Sequence, residues 1–211
     1  MGLAVRDIQP AMSLRTFTPE ALKDLHTTAS LVPSSRFLTS AMLAPLPLAR
    51  ARCVVEFGSG TGVMTRPLLD ALPPEATLLC FEVNPRFCHY LKKNFLDPRV
   101  KVIAASAERL PEELAARGLP PVDAAVSSLG LTSMPGRTRE AILQGLISSL
   151  GPVAVFTQFQ YVHSLLAYLQ PADGHLERFS AARFLGRYFS RVTTEVVWRN
   201  IPPAFVLTCR R

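Results

Sequence analysis

The sequence predicts an α/β fold: one mostly parallel sheet with helices on both faces. Three observations carry that expectation. From Cys53 onward, short apolar β-runs alternate with helix-type patterns, the signature of parallel strands joined by right-handed crossovers. The first run ends on an acid and passes into a glycine loop, Val54-Val55-Glu56-Phe57-Gly58-Ser59-Gly60-Thr61-Gly62. The last two runs are separated only by Asn200-Ile201-Pro202-Pro203, too short for a crossover helix, so they pair antiparallel.

The elements follow in order. Residues 1–16 lack periodicity. Thr18-Pro19-Glu20 starts a helix that runs to about Thr28, with an N-cap residue, proline at N1 and an acid in the first turn. Pro33-Ser34-Ser35 starts a second, with Phe37, Leu38, Ala41 and Met42 on one face. These short amphipathic helices make residues 1–50 an extension that caps a cleft or touches a membrane, before a domain over 51–211. The parallel runs are 53–57, 77–82, 100–104, 122–127 and 152–158. Helix patterns lie near 63–72, 86–95, 108–117 and 138–149. A further helix is expected near 176–190, then strands from Val192 to Trp198 and Ala204 to Cys209.

Composition narrows the function. A chain of 211 residues, 48% hydrophobic and 18% charged, suits one compact α/β domain. The longest apolar stretch, Phe37 to Ala49, is broken by Pro45 and Pro47 and falls short of the roughly 20 residues that span a bilayer. Arg6 and Asp7 interrupt any secretory signal. The four cysteines show no C-x-x-C spacing and no metal cluster; Cys53, Cys80 and Cys209 sit in expected strands and read as small buried hydrophobes in a reducing cytoplasm. A net charge of +7 and a pI of about 9.7 point to an anionic partner, nucleic acid or an acidic membrane surface.

The glycine loop has three possible ligands. A phosphate-binding P-loop needs Gly-Lys-Ser/Thr, which is absent; a dinucleotide fingerprint needs a third glycine where Val63 stands. The acid-x-Gly-x-Gly-x-Gly spacing instead resembles the first motif of class I S-adenosylmethionine-dependent methyltransferases. That resemblance brings Gly58, Gly60 and Gly62 against the methionine part of S-adenosylmethionine and assigns Glu56 to its cationic amino end, directly or through water. Glu82 closes the second run, twenty residues after Gly62, where an acid can accept both ribose hydroxyls. Val83 and Ala107 are assigned with it to the cofactor. Ser106 stands where related enzymes carry an Asp for the adenine amino group; a hydroxyl can still accept there. The resemblance further implies strand order 3-2-1-4-5-7-6.

After the fourth run comes Ser127-Ser128-Leu129-Gly130. Enzymes that methylate exocyclic base nitrogens usually place Asn/Asp-Pro-Pro-Tyr here, with an aromatic for a flipped base. Its absence argues against nucleic acid. More closely, the chain resembles the soluble bacterial phospholipid N-methyltransferases, which convert phosphatidylethanolamine to phosphatidylcholine. The resemblance rests on Val32-Pro33-Ser34-Ser35-Arg36, the glycine motif, Phe81-Glu82-Val83-Asn84-Pro85, Ala125-Val126-Ser127-Ser128-Leu129, Gln158-Phe159-Gln160-Tyr161 and Trp198-Arg199-Asn200-Ile201-Pro202-Pro203-Ala204. The family usually reads Ser-Gly-Leu-Pro at 127–130.

Such a reaction needs a neutral amine in line with the sulfonium methyl and a site that accepts a growing cation. Tyr161 is the first candidate to face the amine, by hydroxyl contact or cation–π attraction, with Ser127 and Gln158 beside it. His26 and His163 are expected near the cleft mouth, but nothing marks either as a base. The membrane side is expected from Arg36 and from a helix over Arg178 to Arg191. Its apolar face is Ala181, Phe184, Leu185, Tyr188 and Phe189, with Arg183, Arg187 and Arg191 opposite; that face either sits in a headgroup layer or packs on the sheet, leaving the arginines beside the cleft. The loop Pro171-Ala172-Asp173-Gly174 would shape lipid access. The expected enzyme works at the inner face of the cell membrane. The alternatives are another amino lipid such as ornithine lipid, RNA, and a non-catalytic cofactor-binding role.

Overall fold

The computed structural model describes residues 35–162, 169–172 and 175–211. The parallel strands are β1 (Cys53–Phe57), β2 (Thr77–Phe81), β3 (Val100–Ile103), β4 (Val122–Ser127) and β5 (Leu150–Tyr161). A separate antiparallel hairpin follows, β6 (Leu169–Ala172) and β7 (His175–Arg178), before β8 (Arg191–Val197) and β9 (Ala204–Arg210). The main sheet runs β3-β2-β1-β4-β5-β9-β8, with β9 antiparallel to both neighbours. Leaving out the inserted hairpin, this is the expected order 3-2-1-4-5-7-6.

The helices are α1 (Arg36–Leu43), α2 (Thr65–Ala71), α3 (Pro85–Asn94), α4 (Leu110–Arg117), α5 (Gly136–Ser149) and α6 (Ala181–Leu185). Their ends follow local chemistry. Ser35 caps α1 by accepting from the Leu38 N–H, Asn84 caps α3 ahead of Pro85, and Gly118 ends α4 at φ 61°. The sheet divides the core in two. Val55, Phe57, Leu79, Ala125 and Phe156 pack against α4, α5 and α6. Val54, Leu78, Ala124 and Val126 pack against α1 and α2 through Leu38, Met42, Leu68 and Leu69. Both faces are covered, which is why β1 reads as an unbroken buried run rather than an alternation. All four cysteines are buried and unbridged.

One expectation is corrected, and one alternative is decided. The helix near 176–190 is not there: β7 occupies 175–178 and α6 holds only five residues before Gly186. Beyond Gly186 the chain continues as a turn, with Tyr188 and Phe189 N–H groups bonded to the Leu185 carbonyl. That turn keeps the helical phase, so Ala181, Phe184, Leu185 and Phe189 still share a face. The face is buried against the sheet, with Phe189 stacked on Phe156, and it is not open to a membrane. Arg183 and Arg187 remain on the surface, Arg187 near Glu140 at 3.8 Å. The helix expected at 18–28, His26, His163, Asp173 and Gly174 lie outside the described residues.

Candidate functional site

The site lies where the parallel strands end. Gly58, Gly60 and Gly62 all take positive φ, at 74°, 53° and 81°, a region that L side chains seldom enter. They differ in what surrounds them. A Cβ on Gly62 would meet the Phe95 ring at 2.5 Å, and one on Gly58 would come within 3.1 Å of Leu129 Cδ2. A Cβ on Gly60 would meet nothing within 4 Å. Gly62 is thus a packing glycine, whereas Gly60 exposes bare backbone to an open space.

Glu82 holds this loop. Its Oε2 accepts the Gly60 N–H at 2.8 Å and its Oε1 accepts the Asn84 N–H at 2.8 Å. Each carboxylate oxygen retains a lone pair, so the group can brace the loop and still accept two ribose hydroxyls. Val83 beside it is exposed. Ser106 caps a 3-10 turn over Ala107–Arg109 and donates to Glu108 Oε2 at 3.2 Å; Ala107 is buried beneath.

Glu56 lies under the loop rather than in it. It is 1% exposed; its Oε2 accepts the Thr65 hydroxyl at 2.6 Å and the Cys80 thiol at 3.6 Å. Burial raises its pKa to about 7, against the opposing effect of the Thr65 hydrogen bond.

Ser127 and Gln158 are register partners across β4 and β5, and both are buried. The Ser127 hydroxyl accepts the Leu129 N–H at 3.2 Å. Gln158 Nε2 donates to the carbonyls of Leu129 and Phe159, leaving Oε1 buried without a partner. The two therefore frame Leu129, which in turn faces Gly58. Tyr161 is not brought to them. It lies three residues beyond Gln158, on the opposite face of β5, its ring edge-on to Phe159 and packed in the cluster with Leu38 and Met42. Arg36 is on the outer rim, 4.8 Å above the Phe37 ring.

One residue escaped sequence reasoning. Arg139 is buried in α5, its Nη1 donates to the Leu131 carbonyl at 2.7 Å, and its guanidinium lies 4.0 Å from the Phe179 ring centroid. It ties the loop after β4 to the segment before α6. The signal was present: Arg139 shares the helical spacing of Ile142, Leu143 and Leu146, all core residues, and a cation in that series marks an anchor.

Comparison with known proteins agrees with this geometry. Residues 54–153 match the family described as "Methyltransferase domain". The chain is similar to an ornithine lipid N-methyltransferase of Singulisphaera acidiphila, 29% identical over 183 residues, covering 86% of this chain and 88% of the relative. Its fold is that of a precorrin-6y C5,15-methyltransferase from Geobacter metallireducens (TM-score 0.61, 18% identity, 82% of this chain and 87% of that one). It is also that of a SAM-dependent methyltransferase from Aquifex aeolicus (TM-score 0.58, 16% identity, 92% and 98%). An open glycine backbone, an acid braced at the tip of β2 and this strand order fit S-adenosylmethionine. The protein has the Rossmann-like methyltransferase fold, residues 54–153 match a methyltransferase domain, and S-adenosylmethionine is its cofactor.

Proposed function

We propose that the protein transfers methyl groups to the primary amine of a membrane amino lipid. The head group is phosphatidylethanolamine by resemblance of its motifs, or ornithine lipid by similarity to the named relative. One observation carries the choice of a nitrogen acceptor. The acceptor side, Ser127, Gln158 and the Leu129 backbone, offers hydrogen-bond acceptors and no strong base: the Gln158 Oε1 is a buried acceptor that an N–H would satisfy. A neutral amine needs position and a polar wall for its developing charge, and these buried polar groups support that reading.

S-adenosylmethionine supplies the electrophilic methyl. Glu82 and the backbone at Gly58 and Gly60 would hold its ribose and methionine portions, and Val83 would cover the base. Glu56, sealed beneath the loop, acts on the ammonium end by charge rather than by an open face. Repeated transfer fits the same wall: each methylated ammonium loses its proton to water before the next attack, and sulfur leaves with the bonding pair at every turn. The partner is the anionic inner face of the cell membrane, with the protein peripheral to it; among the described residues no helix is long and apolar enough to cross a bilayer.

The test presents both lipids together. Purified protein, methyl-labelled S-adenosylmethionine and vesicles containing phosphatidylethanolamine and ornithine lipid are incubated, and the extracted lipids are weighed by mass spectrometry. Label in one head group identifies the substrate; label in neither overturns the proposal.

A further inference from the structure

The motif Trp198-Arg199-Asn200-Ile201-Pro202-Pro203 has no part in the site, yet it forms the turn between β8 and β9. Trp198 is 72% exposed and Ile201 82% exposed. Their exposure is built, not frayed. Asn200 between them is 2% exposed; its Oδ1 accepts the Ser35 N–H at 3.0 Å and its Nδ2 donates to the Pro202 carbonyl at 2.7 Å. The turn is thereby fastened to the start of α1. Arg36 and Arg199 lie over the same Phe37 ring, at 4.8 and 5.2 Å. Two exposed guanidiniums and two exposed apolar side chains therefore belong to one rim.

The rim stands on the edge of the sheet that carries the cofactor loop. Ala204, the first residue of β9, pairs with Tyr161, the last of β5. Gln158 is in register with the end of β4, so the turn begins beyond it by roughly 10 Å at about 3.3 Å per residue. The turn therefore lies at the same strand-end side of the sheet as Gln158 and the glycine loop.

We propose that this turn, with the first residues of α1, is the surface by which the protein docks on an anionic lipid bilayer. The inference rests on the amino-lipid reading and names the face that meets the lipid. Two side chains make a patch far below the roughly 800 Å² per partner of a stable protein interface. A tryptophan and an isoleucine flanked by arginines suit a headgroup layer, where the rings and methyls enter the acyl boundary and the guanidiniums meet phosphate. The net charge of +7 favours the same partner.

The chain has a single tryptophan, so its fluorescence reads the proposed surface without a label. The full-length protein is titrated with phosphatidylcholine–phosphatidylglycerol vesicles, with and without brominated acyl chains. The proposal expects a blue shift and bromine quenching that grow with phosphatidylglycerol. Trp198→Ala should weaken vesicle sedimentation about tenfold, and Arg199→Ala about fivefold at low salt. Methyl transfer to a short-chain amino lipid dispersed as monomers should be unchanged in Trp198→Ala. Sedimentation with Trp198 emission unmoved and unquenched overturns the proposal, as does no sedimentation at all. Quenching without methylation of any lipid keeps the surface and removes the amino-lipid reading. Methylation of the monomeric lipid with Trp198 still in water does the reverse.

Discussion

Replacing Glu82 by Gln keeps the side chain's shape and removes its charge, and the consequence can be worked from two hydrogen bonds. The carboxylate accepts from Gly60 N–H and Asn84 N–H, each at 2.8 Å. An amide has one oxygen, so one of those backbone donors would face an NH2 group instead. Losing a hydrogen bond to a charged group and stranding a donor costs about 1–3 kcal/mol, so Glu82→Gln should lower stability by that order. The effect on the cofactor should be larger. Two ribose hydroxyls now compete for one neutral acceptor, and the loop at Gly60 is no longer braced. A loss of about 3 kcal/mol raises the dissociation constant by roughly two orders of magnitude. Calorimetric titration with S-adenosylmethionine and S-adenosylhomocysteine measures this, with a thermal melt to show that the variant is folded. Dissociation constants within about twofold of the unmodified protein would refute the role given to Glu82.

Other outcomes follow from single residues. Gly60→Ala should fold with about 1 kcal/mol of backbone strain but bind the cofactor poorly, because its Cβ fills open space; Gly62→Ala should lose stability instead, because its Cβ strikes Phe95, and thermal melts beside titrations separate the two. Glu56, raised to about 7 by burial, binds a proton in the folded state that the unfolded chain has lost. Stability should therefore fall as pH rises from about 4.5 to 7 and level off above, by about 3 kcal/mol in all, and Glu56→Gln should flatten that slope in denaturant titrations. Arg139→Met should leave cofactor affinity unchanged while the acceptor KM rises about tenfold, since the loop after β4 loses its tether to the segment before α6; steady-state kinetics against each substrate decides it. On the proposed role of its unpartnered Oε1, Gln158→Leu should reduce kcat by about tenfold or more, whereas Tyr161→Phe should change it little; equal losses would return Tyr161 to the site.

The legible parts of the fold were those whose residues meet their partners through local pattern. Each central strand is an apolar run bounded by turn residues, and burial on both faces makes such runs hard to mistake. The glycine loop was legible because positive φ leaves few residue choices. The hairpin at 169–178 was not, since Leu169-Gln170-Pro171-Ala172 offers no alternation and a proline inside a strand argues against one. The stretch after it misled for a physical reason: a five-residue helix and a helix-like turn hold the same phase as one long helix. In the site, Glu82 was legible at the end of β2, but its bond to Gly60 spans 22 positions. The Ser35–Asn200 bond spans 165, and no local pattern reveals such pairs. Tyr161 was placed by proximity to the strand end; the period-2 alternation from Gln158 already put it on the other face.

The most direct measurement gives the protein methyl-labelled S-adenosylmethionine together with a total bacterial lipid extract and total RNA in one reaction, and then separates the two. The account predicts label on the nitrogen of an amino-lipid head group, reduced by Glu82→Gln in step with cofactor affinity. Label confined to RNA, or cofactor bound with no methyl transferred to either, would contradict it.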